Sequence, residues 1–129
     1  MAITEDYVSL ETAKLLKEKG FDSECDYLYV NGGIVRAQGG KCNWNKGETI
    51  FTDYKNECSA PTLQMAMKWL REKHIVVIPE VETFYADGSV SSWEYHLWYD
   101  DNFEEGQNSF SSYEEAAEAA IKYCLESLI

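Results

Sequence analysis

The stretch IVVIPEVETFYADGSVSSWEYHLWY, residues 75–99, decides how this chain is read. It opens on apolar, largely β-branched residues and closes on aromatic ones, the types that favour strands. Asp87-Gly88 between the two runs marks a tight hairpin. A two-residue turn there predicts that Tyr85 pairs with Val90, Glu82 with Trp93, Glu80 with Tyr95, Ile78 with Leu97 and Val76 with Tyr99. Side chains alternate along a strand. One face then carries Val76, Ile78, Glu80, Glu82, Phe84, Trp93, Tyr95, Leu97 and Tyr99. The other carries Val77, Pro79, Val81, Tyr85, Glu94, His96 and Trp98. Neither is purely apolar. We assign the first to the core, with its Glu-bearing end projecting past the covering helices.

Helical patterns flank the hairpin. Upstream, Ser59-Ala60-Pro61 is a helix-start signal, because a proline's missing N–H costs nothing in a first turn. Leu63, Ala66, Met67 and Leu70 continue it as an apolar stripe. Downstream, Ser112-Tyr113-Glu114-Glu115 has the form of a capping box, in which Ser112 caps the amide of Glu115 and Glu115 reaches back. Tyr113, Ala117, Ala120, Ile121, Cys124 and Leu128 make its buried face. Nearer the N-terminus, residues 10–19 predict a further helix between an N-cap, Ser9, and a C′ glycine, Gly20. Tyr27-Leu28-Tyr29-Val30 and Ile34-Val35-Arg36-Ala37 flank Asn31-Gly32-Gly33, a second hairpin signal. Residues 38–46 read as a polar loop, and residues 48–52 as a short additional strand. The expected fold is α+β in the order α-β-β-(β)-α-β-β-α. An antiparallel sheet of four to five strands would carry three helices mainly on one face.

With 129 residues the chain suits one domain, which should bury roughly two-thirds of its unfolded surface. Its net charge of −12 is unevenly placed. Residues 1–75 hold ten bases and eleven acids; residues 76–129 hold twelve acids and one base, Lys122. Such asymmetry speaks to partners rather than fold. It argues against direct nucleic-acid binding, since phosphate would be repelled. No segment is apolar enough to span a membrane, and the acidic N-terminus lacks the pattern of a signal peptide. These features predict a cytoplasmic protein.

The four cysteines, Cys25, Cys42, Cys58 and Cys124, form no C-x-x-C pair, and reduced thiols are expected. Zinc ligation by Cys25, Cys42 and Cys58 with a histidine would lack the usual short spacings. No phosphate loop, dinucleotide fingerprint, metalloprotease motif or nucleophile elbow occurs. Neither a metal nor a cofactor is expected. Glu94 and His96 lie two apart on one strand and could form an acid–base pair. Cys58, just before a helix start, has the position of an activated thiol. Most of the late acids have local reasons in caps, turns and a loop at residues 100–105. Glu80, Glu82 and Glu94 have none, because glutamate is disfavoured in strands.

The segments VSLETAKLLKEKGF (residues 8–21), CSAPTLQMAMKWLREKH (residues 58–74) and SYEEAAEAAIKYCLESLI (residues 112–129) resemble a family of small uncharacterised proteins of gut Bacteroides-type bacteria, their phages and mobile elements. The resemblance covers the three helices. It implies a bacterial or phage cytosolic setting and brings no activity, cofactor or catalytic residue with it.

The function expected is that of a non-enzymatic binding or accessory protein. It would contact a basic protein partner through an acidic, aromatic hairpin surface of Glu80, Glu82, Trp93, Glu94 and Tyr95. One alternative is a nucleic-acid mimic that inhibits a DNA- or RNA-binding protein, which requires the carboxylates on one surface. Another is a small enzyme using Glu94 with His96, or Cys58.

Overall fold

Among the described residues two three-stranded antiparallel sheets form, where the sequence predicts one sheet of four to five strands. The computed structural model describes residues 3–37, 40–46 and 57–129. The strand expected at residues 48–52 lies outside them. The fold is α+β, with three α-helices among the described residues, and divides into two compact units, Met1–Thr62 and Leu63–Ile129. No helix among the described residues is long and apolar enough to cross a membrane.

The first unit holds α1 (Leu10–Glu18), β1 (Tyr27–Val30), β2 (Gly33–Arg36) and β3 (Cys58–Ser59), with strand order β2-β1-β3. Ser9 caps α1 by accepting from the Thr12 amide at 3.2 Å. Gly20 ends it at φ +93°, where the Phe21 N–H bonds Leu16 O and the Gly20 N–H bonds Lys17 O. That pair of bonds is a Schellman motif, and the buried Phe21 supplies its hydrophobic contact. Asn31 and Gly32 both take positive φ, 51° and 86°, so the first hairpin closes with the predicted two-residue turn. Ser59-Ala60-Pro61 does not begin a helix. Ser59 pairs with Leu28, the Ala60 amide bonds Tyr27 O, and Pro61 O accepts from Val8. The expected loop at residues 38–46 ends in a 3-10 turn, Trp44–Lys46, whose buried indole donates to Cys25 O at 2.9 Å.

The second unit runs α2 (Leu63–Glu72), β4 (Ile75–Phe84), β5 (Val90–Tyr99), β6 (Asn102–Glu105) and α3 (Tyr113–Ser127). β5 is the central strand. Both helices lie against one face of this sheet, as expected for these two. Ile75, Val77, Tyr95 and Leu97 are buried with Ala66, Leu70, Ala117, Ala120, Ile121 and Cys124.

The β4–β5 register differs from the predicted one by a single residue. Val77 pairs with Leu97, Pro79 with Tyr95, Glu80 with Glu94 and Val81 with Trp93. The turn explains the slip. Gly88 has φ +89°, whereas Asp87 is not in the left-handed region that a two-residue type I′ turn requires. Tyr85 bonds Ser89 instead, which leaves a three-residue loop of Ala86, Asp87 and Gly88. Asp87 Oδ1 stabilises it by accepting from the Ser89 amide and hydroxyl at 2.9 and 2.6 Å. These bonds hold the Asp87 carboxyl below its ordinary pKa. Two compensating bulges follow, Glu82 as the extra residue on β4 and Ser91 on β5. A one-residue slip turns a whole strand over. β5 therefore keeps its predicted inward set of Trp93, Tyr95, Leu97 and Tyr99. On β4 the inward residues are Ile75, Val77, Pro79 and Val81, and Val76, Ile78 and Glu80 face away from the helices.

Strand β6 forms where the sequence predicts a loop at residues 100–105. Asp100 and Asp101 both adopt positive φ, 50° and 62°, and reverse the chain in two residues, so that Tyr99 pairs with Asn102. Aspartate tolerates this conformation better than most residues. At α3, Ser112 Oγ accepts from the Glu115 amide at 3.0 Å as expected. The reach-back differs: Glu115 accepts from the Ser111 amide and hydroxyl. Ser112→Ala should cost about 1 kcal/mol, the usual value of an N-cap. Urea denaturation checks this, and no loss would remove the cap's role.

Candidate functional site

The slipped register assembles a cluster on the sheet face opposite the helices. Glu80 and Glu94 stand directly across from each other, and Ile78 stands across from His96. His96 Nε2 contacts Glu80 Oε1 and lies 3.2 Å from Glu94 Oε1. The three donor atoms all fall within 4.8 Å of one another. The imidazole is largely enclosed, 15% exposed, against 48% for Glu80 and 26% for Glu94. Its ring stacks on Phe103 at 5.2 Å, and Nδ1 is buried without a hydrogen-bond partner. Only Nε2 therefore faces the carboxylates. Like charges directly opposite in a sheet are destabilising, and Nε2 of His96 lies against both carboxylates, where its Nε2–H tautomer would donate to them.

The same face continues into apolar surface. The pairings Val76 with Trp98 and Trp98 with Phe103 make a row across all three strands, and His96 with Glu105 extends the row beside it. Trp98 is 46% exposed and Phe103 48%, with ring centroids 4.9 Å apart. Among its residues from Val76 to Glu80, Glu94 to Trp98 and Phe103 to Glu105, this face presents Glu80, Glu94 and Glu105 and no lysine or arginine.

Of the five residues expected to form a binding surface, only Glu80 and Glu94 come together. Tyr95 is 1% exposed and stacks on Phe110 in the core, so its ring cannot meet a partner. Trp93 points the same way and sits edge-on against Tyr113 of α3 at 5.7 Å. Glu82, the bulge residue, accepts from Ser92 Oγ at 3.2 Å and from the Ser109 amide at 2.9 Å. Those bonds hold the segment after β6, where Ser109 has φ +66°. The alternative pair Glu94 and His96 is brought together, with Glu80 as an unforeseen third member. Cys58 belongs to the other unit, within β3 and before α2 begins. It is 2% exposed, and burial pushes its thiol up, against the weaker opposing pull of Lys17 and Lys14. That opposes thiolate activation.

Trp98 falls on the face with Glu94 and His96 in the sequence reading, but Phe103 and Glu105 do not join it, because residues 100–105 read as an acidic loop. Two residues tolerant of positive φ, Asp100-Asp101, directly after an aromatic strand were the available signal. The acids of the second unit do not share one surface. Glu104 lies on the helix side and accepts from Tyr123 OH at 3.0 Å, while Glu114 and Glu115 occupy the first turn of α3.

Comparison of the chain with protein-family models, with curated proteins and with solved structures finds no match among any of them.

Proposed function

We propose that this chain is a non-enzymatic binding module whose uncovered β4-β5-β6 face receives a basic segment of a partner protein. The setting would be the bacterial or phage cytoplasm that its resemblance implies. One observation carries the reading: exposed Trp98 and Phe103 adjoin Glu80, Glu94 and Glu105 on a sheet face that presents no lysine or arginine. Aromatic rings offer area and attract cations over their faces. Carboxylates beside them select lysine or arginine and steer their approach. A mimic of the phosphate backbone would need its acids along one surface. Their division among the outer face, the helix side and the α3 cap favours the partner reading.

The test uses a defined arginine- and lysine-rich peptide titrated into the full chain. Binding should perturb the amides of β5 and β6. It should weaken steeply as salt rises from about 0.1 to 1 M, which shortens the screening length from roughly 10 to 3 Å. Replacing Glu80, Glu94 and Glu105 together by glutamine should weaken it by about tenfold, since each exposed ion pair is worth up to about 1 kcal/mol. Trp98→Ala should weaken it at all salt concentrations. Binding indifferent to both salt and these substitutions would sink the reading.

A further inference from the structure

We infer that Glu80, Glu94 and His96 form a binding site for a first-row divalent cation of the zinc class. This does not rest on the partner reading, because it needs only the three side chains and water. The donor set is one imidazole nitrogen and two carboxylate oxygens, presented from adjacent paired strands rather than from a loop. All three donor atoms already converge within 4.8 Å. Zinc holds such ligands at about 2.0–2.2 Å, so modest rotation of a glutamate side chain completes the approach. The imidazole selects zinc and the later first-row ions over calcium and magnesium, which prefer all-oxygen shells.

Two features of the site fit a cation. Glu80 and Glu94 are a like-charge pair placed directly across the ladder, a destabilising arrangement that a cation between them would relieve. Glu80 is about half exposed, so the face is open to entry from solvent and to waters in the remaining coordination positions. The metal would take the Nε2 position, which faces the carboxylates. In the bound form Nδ1 carries the hydrogen, and its buried position offers no acceptor. A missing partner of that kind weakens metal affinity by about 10–100-fold, so the site should be of moderate strength and should release cation as pH falls.

The experiment is a titration of Zn²⁺ into chelator-treated full-length chain, followed by the ring-proton resonances of its two histidines. His96 should shift with saturation at one equivalent. His74, exposed in the turn between α2 and β4, should not shift and serves as the internal control. Mn²⁺, which thiols bind poorly, should broaden His96 and the amides of Glu80 and Glu94 at substoichiometric amounts. The E80Q/E94Q double variant keeps side-chain shape and should bind Zn²⁺ at least tenfold more weakly with an unchanged amide spectrum. Should that variant unfold, H96Q read by Mn²⁺ broadening of Glu80 and Glu94 supplies the same comparison. The inference is overturned if His96 does not respond, if both histidines move alike, or if Zn²⁺ uptake is abolished by thiol alkylation and not by E80Q/E94Q.

Discussion

Gly106→Ala is expected to destabilise the second unit by about 3 kcal/mol, the upper part of the range for inserting atoms into a packed site. The position gives little warning, because Gly106 is only half-buried and has no left-handed φ. Its importance comes from what lies above it. A Cβ there would meet two ring carbons of Tyr95 and stand 2.6 Å from Tyr95 O. Neither neighbour can retreat. The ring is enclosed and stacked on Phe110, and the carbonyl is held by the Gly106 amide itself at 3.0 Å. Denaturant unfolding of the alanine variant measures the loss. Gly33→Ala is the control, since its added Cβ meets only Val30 O at an ordinary 3.9 Å. A Gly106 variant within about 1 kcal/mol of the parent would show that β5 and the segment after β6 are less closely apposed than described.

The second large effect separates two readings of the same strand. Val77→Asp should cost about 4 kcal/mol or more, while Val76→Asp should cost about 1 kcal/mol, the span of strand preference at a partly exposed site. Val77 is 7% exposed opposite buried Leu97, so an aspartate there would be a buried, unpaired charge, among the few changes that reach such values. Val76 is 37% exposed beside Trp98. The two-residue turn predicted from sequence reverses the order of the pair, because it places Val76 inward. Thermal or urea denaturation of both variants decides between the registers.

That reversal shows what could be read in advance and what could not. Helix ends were legible because their signals are local: Ser9, Gly20 and Ser112 each act within a few residues of themselves. The Asn31-Gly32 turn was legible for the same reason. Asp87-Gly88 has nearly the same spelling, yet Asp87 bonds Ser89 and declines the left-handed conformation, and one residue is added to the loop. Nothing in the dipeptide decides between these outcomes, whereas every face assignment on β4 depends on them. The candidate site inherits that sensitivity. Glu94 and His96 share a face in any register, because both lie on β5. Glu80 joins them only when the hairpin closes with three residues.

Helix α2 shows a different limit. Pro61 is a sound helix-start residue, but the backbone groups of residues 59–61 satisfy β1 and the segment before α1 instead. Long-range pairing outweighed a local preference worth little by itself.

Pro79 has a bearing on self-assembly. Tyr95, its partner on β5, spends both backbone groups on the segment after β6, donating to Gln107 and accepting from Gly106. The imino nitrogen of Pro79 therefore points away from β5, toward the outer margin of β4, which no strand among the described residues covers. The proline forfeits no ladder bond and deletes one donor from the row that a second chain would have to dock against. Strand β4 is ten residues long and partly apolar, the profile of a template for edge-to-edge fibril growth. A single proline halfway along it, followed by a glutamate, denies a growing polymer an unbroken run of hydrogen bonds while leaving the protein's own sheet intact.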